Sequence, residues 1–159
     1  MPPSVVTKNI VLGRDLSDRC PIDTTYCSCA NCRPMKQPAE AFCCKEIGRS
    51  TTSWAINFNK FMASGCICQD NRIKSVVGNK IELDIFIDTV KGLSNPENED
   101  VELMGRNYRF ALYKKLTIMI HGYIGAKQRM PLPSCLVAFV RATYPEEDEE
   151  DYCGFLDAS

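Results

Sequence analysis

Ten cysteines in 159 residues, seven of them crowded into three short runs, restrict this chain more than any other feature. Cys27, Cys29 and Cys32 form a C-x-C-x-x-C run, Cys43 and Cys44 are adjacent, and Cys66 and Cys68 form a second C-x-C. Thiols this close in sequence crowd one point in space instead of stapling distant loops, which suits a metal better than a disulfide framework. Zinc is the expected ion, because thiolates at about 2.3 Å complete a closed tetrahedral site without redox liability. An iron–sulfur cluster draws on the same ligands, and spacing does not separate the two. Two tetrahedral zinc ions need eight ligand bonds. Six thiolates supply them if two bridge both metals, whereas two separate four-cysteine sites take eight of the ten. The sequence leaves both arrangements open.

The rest of the composition is that of one folded domain, with 45% hydrophobic and 25% charged residues. Nineteen basic residues against twenty acidic ones give a formal net charge of −1, which argues against a nucleic-acid backbone binder. No apolar run approaches the roughly 18 residues of a membrane span, and the longest, Leu116 to Ile124, is cut by His121-Gly122. Met1-Pro2-Pro3-Ser4 has neither the basic nor the apolar region of a signal peptide, so a cytoplasmic protein is expected.

Periodicity predicts a mainly α, single compact domain with a Cys-rich, irregular N-terminal half. Residues 1–25 read as an irregular lead-in, and 26–38 as a metal-wrapped loop. Short helices are expected over 39–47, ended near Gly48, and over 51–62 with Ser50 or Thr51 as cap. Asp70 is placed to cap a helix carrying Ile73, Val76 and Val77. Leu83, Phe86, Ile87 and Val90 make an apolar stripe at i, i+3, i+4 and i+7 from about Lys80. The longest helix should run from Gly105 to His121 with Tyr108, Leu112, Leu116 and Met119 on one face, and Gly122 ends it. Pro131 and Pro133 exclude helix between them, and Ser134 is expected to cap a last helix through Tyr144, stopped by Pro145. Ser94 to Asp100 and the acidic run Glu146 to Asp151 read as surface loops. His121, the one histidine, reads as a helix C-terminal cap, Arg141 as a cap for carbonyls at the end of the last helix, and Trp54 as core.

An ordered set of blocks runs through the second half: Tyr108-Arg109, Leu112-Tyr113, His121-Gly122-Tyr123-Ile124-Gly125, Pro133-Ser134-Cys135, Arg141, Tyr144-Pro145 and Tyr152-Cys153-Gly154-Phe155. Together with the upstream YCSCANC and Cys43-Cys44, this resembles the cytoplasmic C-terminal ballast domain of the P2X purinoceptor 7 family, from about Tyr26 to Phe155. The blocks carry the resemblance; residues 47–101 contribute little to it. It implies a ballast-like domain over 26–156 that holds a dinuclear zinc–thiolate cluster and binds a guanine nucleotide, GDP or GTP.

By position, the resemblance implies Cys29, Cys32, Cys43, Cys44, Cys66 and Cys135 as zinc ligands, with Cys68 the alternative to Cys66 and Cys27 outside the set. It implies Arg109, Tyr113, Met130, Pro131, Leu132 and Gly154 as nucleotide neighbours. Glu146 and Phe110 stand where the receptor has a basic residue and a histidine. No phosphate-cradling Gly-rich loop is present. The expected function is thus a non-catalytic regulatory or scaffold domain with an unidentified protein partner. The alternatives are an interaction module without nucleotide and a slow GTP hydrolase.

Overall fold

The computed structural model describes residues 5–94, 105–123 and 130–145. It opens with an antiparallel hairpin, β1 (Lys8–Asn9) and β2 (Arg14–Asp15), in the register Lys8 to Asp15 and Asn9 to Arg14. A 3-10 turn, Pro38–Glu40, precedes α1 (Cys44–Ile47) and α2 (Ser53–Asn59). A second 3-10 turn, Ile67–Gln69, leads into α3 (Asn71–Gly78) and α4 (Lys80–Ser94), followed by α5 (Gly105–His121) and α6 (Ser134–Thr143). The mainly helical expectation holds.

The apolar stripe of α4 faces α5 through Leu83 and Ile87, both buried, while the α5 side contributes Tyr108, Leu112 and Leu116. The Tyr108 hydroxyl donates to Asp84 Oδ1 at 2.7 Å, which satisfies that hydroxyl on the seam, and Lys115 of α5 pairs with Glu82 of α4 at 3.5 Å. Asp70 caps α3, accepting from the backbone N–H of Arg72 at 2.8 Å and of Ile73 at 3.3 Å. The Arg72 guanidinium and these amides hold its carboxyl below the usual carboxylate range.

Residues 5–25, expected as an irregular lead-in, carry little regular structure, yet Val11 and Leu16 are fully buried in the common core. Asn9 fixes them there: its Nδ2 donates to Ala39 O at 2.7 Å and its Oδ1 accepts from Leu12 N at 2.9 Å. Gly13 turns the hairpin at φ +71°, and a Cβ there would stand 2.8 Å from Thr52 Cγ2. Thr52, rather than Ser50 or Thr51, caps α2, accepting from Ala55 N at 3.0 Å while its hydroxyl donates to Val11 O.

Three further expectations need correction. The helix expected over 39–47 is a 3-10 turn followed by α1, because Cys43 is extended (φ −98°, ψ 148°) and serves as the cap. Ser134 is the first residue of α6 and not its cap; Pro133 holds that position, and Ser134 Oγ accepts from the Tyr26 hydroxyl at 3.0 Å. His121 does not act as a helix-end cap. Its ring packs edge-on against Trp54 and Phe58 of α2, with centroids 5.4 and 4.9 Å away, and Nδ1 lies 3.1 Å from Asn57 Nδ2. Gly122, at φ +75°, ends α5 by donating its N–H to Ile118 O at 2.8 Å.

Burial lowers the His121 pKa to about 4, so this seam favours the neutral ring. Between that value and the ordinary value near 6.5 the unfolded chain binds the extra proton, so stability is full above the window and falls as pH drops through it. His121→Phe keeps the aromatic packing and removes the titration. Between pH 7.5 and 5 the wild type should lose about 1 kcal/mol more than this variant, after discounting for partial solvent access. Urea denaturation at the two pH values measures the difference.

Candidate metal centre

Four separate segments deliver sulfur to one place. The loop before the first 3-10 turn brings Cys27, Cys29 and Cys32, reversing at Ala30, a non-glycine residue held at φ +70°. Such a conformation costs about 1 kcal/mol and persists where its surroundings fix it. Cys43 caps α1 and Cys44 is its first residue, Cys66 caps the second 3-10 turn, and Cys135 is the second residue of α6. Sulfurs at the starts of helical turns meet backbone N–H groups and the positive end of the peptide dipoles, which favour the thiolate. Backbone hydrogen bonds from Lys45 to Cys43 and from Ile67 to Cys44 follow from this placement, and the loop adds those from Ser28 to Cys43 and from Asn31 to Cys29.

Glu46 locks the approach of α1. Its carboxylate accepts from Cys43 N at 2.9 Å, completing a capping box, and binds the Arg19 guanidinium in a two-pronged pair. Arg19 also donates to Ala41 O at 2.7 Å, so the N-terminal segment clamps the backbone that leads into Cys43. On the far side, Ser134 N donates to Phe42 O at 2.9 Å and docks the start of α6 against the same strand of chain.

The result is two groups of four sulfurs, Cys27, Cys29, Cys32 and Cys43 in one, and Cys29, Cys44, Cys66 and Cys135 in the other. Within each group all sulfurs lie within 4.8 Å of one another, and Cys29 belongs to both. Cys29 Sγ is 3.9 Å from Cys27 Sγ and 3.8 Å from Cys32 Sγ, far beyond a disulfide bond length of about 2.05 Å. A tetrahedron of sulfurs at 2.3 Å from a central ion has edges of about 3.8 Å. The donor chemistry and spacing therefore fit a closed four-thiolate metal site. Two such sites sharing one corner supply eight bonds from seven thiolates.

The titration of the thiols follows the same crowding. Hydrogen bonding from Cys135 holds the Cys29 thiol down at about 7, whereas Cys135, surrounded by Cys29, Cys32, Cys44 and Cys66, is pushed up. Cys43 and Cys66 are lowered by the thiols of their neighbours, Cys32 and Cys135 foremost.

All six cysteines that the resemblance implied as ligands come together here. Cys27, which that reading set outside, lies in the first group; its place in the C-x-C-x-x-C run was a signal for it. Cys68 is in neither group, and Cys20 is exposed. The residues implied for the nucleotide fare differently. Arg109 and Tyr113 share a face of α5 but are 2% and 1% exposed, and Met130, Pro131 and Leu132 are also buried. Arg109 Nη1 donates to Tyr144 O at 2.8 Å, so it meets the last helix at its C-terminal end, where Arg141 was expected to cap. Gly154 and Glu146 lie outside the described residues.

A small helical domain drawn shut around a buried thiol cluster is the class of protein this geometry defines. The chain belongs to the P2X purinoreceptor 7 intracellular domain family, whose model matches residues 6–156. Comparison with curated proteins finds no match, and comparison with solved structures finds none. Among the described residues, no helix is long and apolar enough to cross a membrane.

Corner sharing at Cys29 makes Cys27 a test of the arrangement. Titrated with cobalt(II), whose thiolate bands report tetrahedral sulfur coordination, the wild type should reach its end point at two ions per chain. Cys27→Ser should keep one ion tight and weaken the other by more than about tenfold. Two tight ions in that variant would exclude Cys27 from the ligand set.

Proposed function

We propose that the domain is a zinc-dependent regulatory or scaffold module whose fold is closed by a dinuclear zinc–thiolate cluster, and that it acts in the cytoplasm, where thiols stay reduced. The supporting observation is the pair of four-sulfur groups sharing Cys29, drawn from four separate segments of the chain. Zinc would supply charge neutralisation and a rigid four-way junction. A site saturated by thiolates leaves no position for a reactive water, so the proposal includes no catalysis. The surfaces displayed by the helices, set in place by the cluster, are then what a protein partner reads.

Guanine-nucleotide binding, as GDP or GTP, is a second reading supported by membership of the family and by the shared α5 face of Arg109 and Tyr113. It requires Arg109 to exchange the Tyr144 carbonyl for a phosphate oxygen. A guanidinium gains by that trade, because its hydrogen bonds to an anion are about twice as strong as those to a neutral acceptor.

Native mass spectrometry of freshly purified protein tests both. The expected spectrum shows two zinc ions per chain, and Cys135→Ser should lose zinc and unfold α6, with a fall in helical circular dichroism. A folded Cys135→Ser protein retaining both ions would overturn the cluster. Calorimetry with GDP should show binding that Arg109→Ala weakens by about tenfold or more. Two zinc ions with no nucleotide affinity in the wild type would leave an interaction module alone.

A further inference from the structure

Three of the segments that carry cluster sulfurs also line an open cleft of about 480 Å³. One stripe of α6 contributes to it, in which Ala138, Phe139 and Ala142 follow Cys135 at i+3, i+4 and i+7. Asn31 and Arg33, on either side of Cys32, come from the loop, and Gln69 comes from the 3-10 turn that Cys66 caps. Lys74 of α3 completes the rim. Ala138 and Phe139 are half-buried and Ala142 is exposed, so the stripe keeps apolar surface open to solvent. Arg33 and Lys74 are exposed, and among the described residues no carboxylate lines the cleft or pairs with either cation. Lys74 also lines a neighbouring shallow cleft with Lys80 and Ile81, the latter 74% exposed. A positive surface with apolar patches thus continues from α3 onto α4.

We infer that this cleft is the docking surface for the protein partner, and that it takes an acidic peptide bearing one apolar side chain. The inference deepens the proposed function and rests on its reading of the domain as an interaction module. Charge complementarity sets the class of partner. Two cations from different segments, with no carboxylate between them, attract an acidic chain and turn away a basic one. The α6 stripe sets the anchor. The small side chains of Ala138 and Ala142 leave room above the helix, and the Phe139 ring offers its face to an aliphatic or aromatic group. The cleft volume falls within the roughly 300–1,000 Å³ of sites that enclose a drug-sized ligand, the bulk of an anchor and its flanking residues. Cys32, Cys66 and Cys135 fix the loop, the turn and the helix that form the cleft, so its shape depends on the convergence of the same sulfurs that form the metal centre.

The test titrates the full-length chain, its zinc counted by native mass spectrometry, with the fluorescein-labelled synthetic peptide Asp-Glu-Phe-Glu-Asp. Fluorescence anisotropy reads the affinity and amide NMR shifts read the place. Shifts should concentrate in residues 31–33, 69–74 and 135–142. Arg33→Glu and Lys74→Glu should each weaken binding about fivefold, while Lys8→Glu, on the distant hairpin, leaves it unchanged. Ala142→Trp, which fills the open end of the stripe at an exposed position, should weaken it about tenfold with the remaining amide spectrum intact. Exchanging the peptide's Phe for Ala should cost about as much, and a peptide with Lys in place of its acids should not bind. Shifts centred elsewhere, or an affinity indifferent to both Lys74→Glu and Ala142→Trp, would overturn the inference. Binding that appears only once the acids of Glu146 to Asp151 are exchanged for their amides would assign the cleft to the chain's own acidic run and overturn the choice of partner. A folded, zinc-loaded protein that ignores the peptide in both forms sinks the inference and leaves the zinc module standing. A folded protein without zinc defeats the proposed function itself, and the inference with it.

Discussion

Seven thiols in two groups of four that share Cys29 set the terms on which the N-terminal half of this chain folds. Cys43, Cys44, Cys66 and Cys135 are buried, and each leaves from the first turn of a short helix or 3-10 turn. Helices of three or four residues have almost no stability of their own, because a helix nucleus costs more than its few hydrogen bonds return. What holds them is the point on which they converge. The Glu46–Arg19 pair and the Phe42–Ser134 hydrogen bond serve the same end, fixing the backbone on either side of the sulfurs.

The other half obeys ordinary packing. Leu83 and Ile87 against Leu112 and Leu116 form a seam whose apolar burial, at about 1.5–3 kcal/mol for each fully buried side chain, needs no sulfur. Helix α6 belongs to both regimes. Cys135 turns into the cluster, while Leu136, Val137 and Val140 are buried in the apolar core. The state of the thiols is thereby coupled to the position of a core helix, and loss of the cluster reaches further than the loop that carries most of it.

This division explains what could be read from the sequence. The α5 bounds and the Asp70 cap of α3 were legible because long amphipathic helices advertise themselves by period and by their end residues. The elements near the cysteines were not, because their lengths are set by where sulfur must go: Cys43 gives up helical backbone to become a cap, and Pro133 takes the cap that Ser134 would have supplied. The burial of Val11 and Leu16 had no periodic signal at all, since they are held by the side chain of Asn9. His121 was misjudged for the same reason, its partners Trp54 and Phe58 lying on another helix. The convergence of the cysteines was legible from their runs. The inclusion of Cys27 and the position of Cys68 depend on angles within a loop and a 3-10 turn that spacing does not encode.

Arg109 and Tyr113 show how a buried charge can be ambiguous in sequence and informative in structure. An arginine four residues before a tyrosine reads equally as a phosphate contact or as a buried stem, and in the fold the guanidinium spends at least one hydrogen bond on the backbone of Tyr144. That contact lies just beyond the C-terminal end of α6, and Cys135 lies at its N-terminal end. Ten residues at about 1.5 Å each separate the two ends, roughly 15 Å of rigid rod. If a phosphate takes Arg109 from the Tyr144 carbonyl, the end of α6 loses a charged cap on the same helix that closes the cluster. Metal and nucleotide would then be linked through one element, and each would alter the affinity of the other by the same factor.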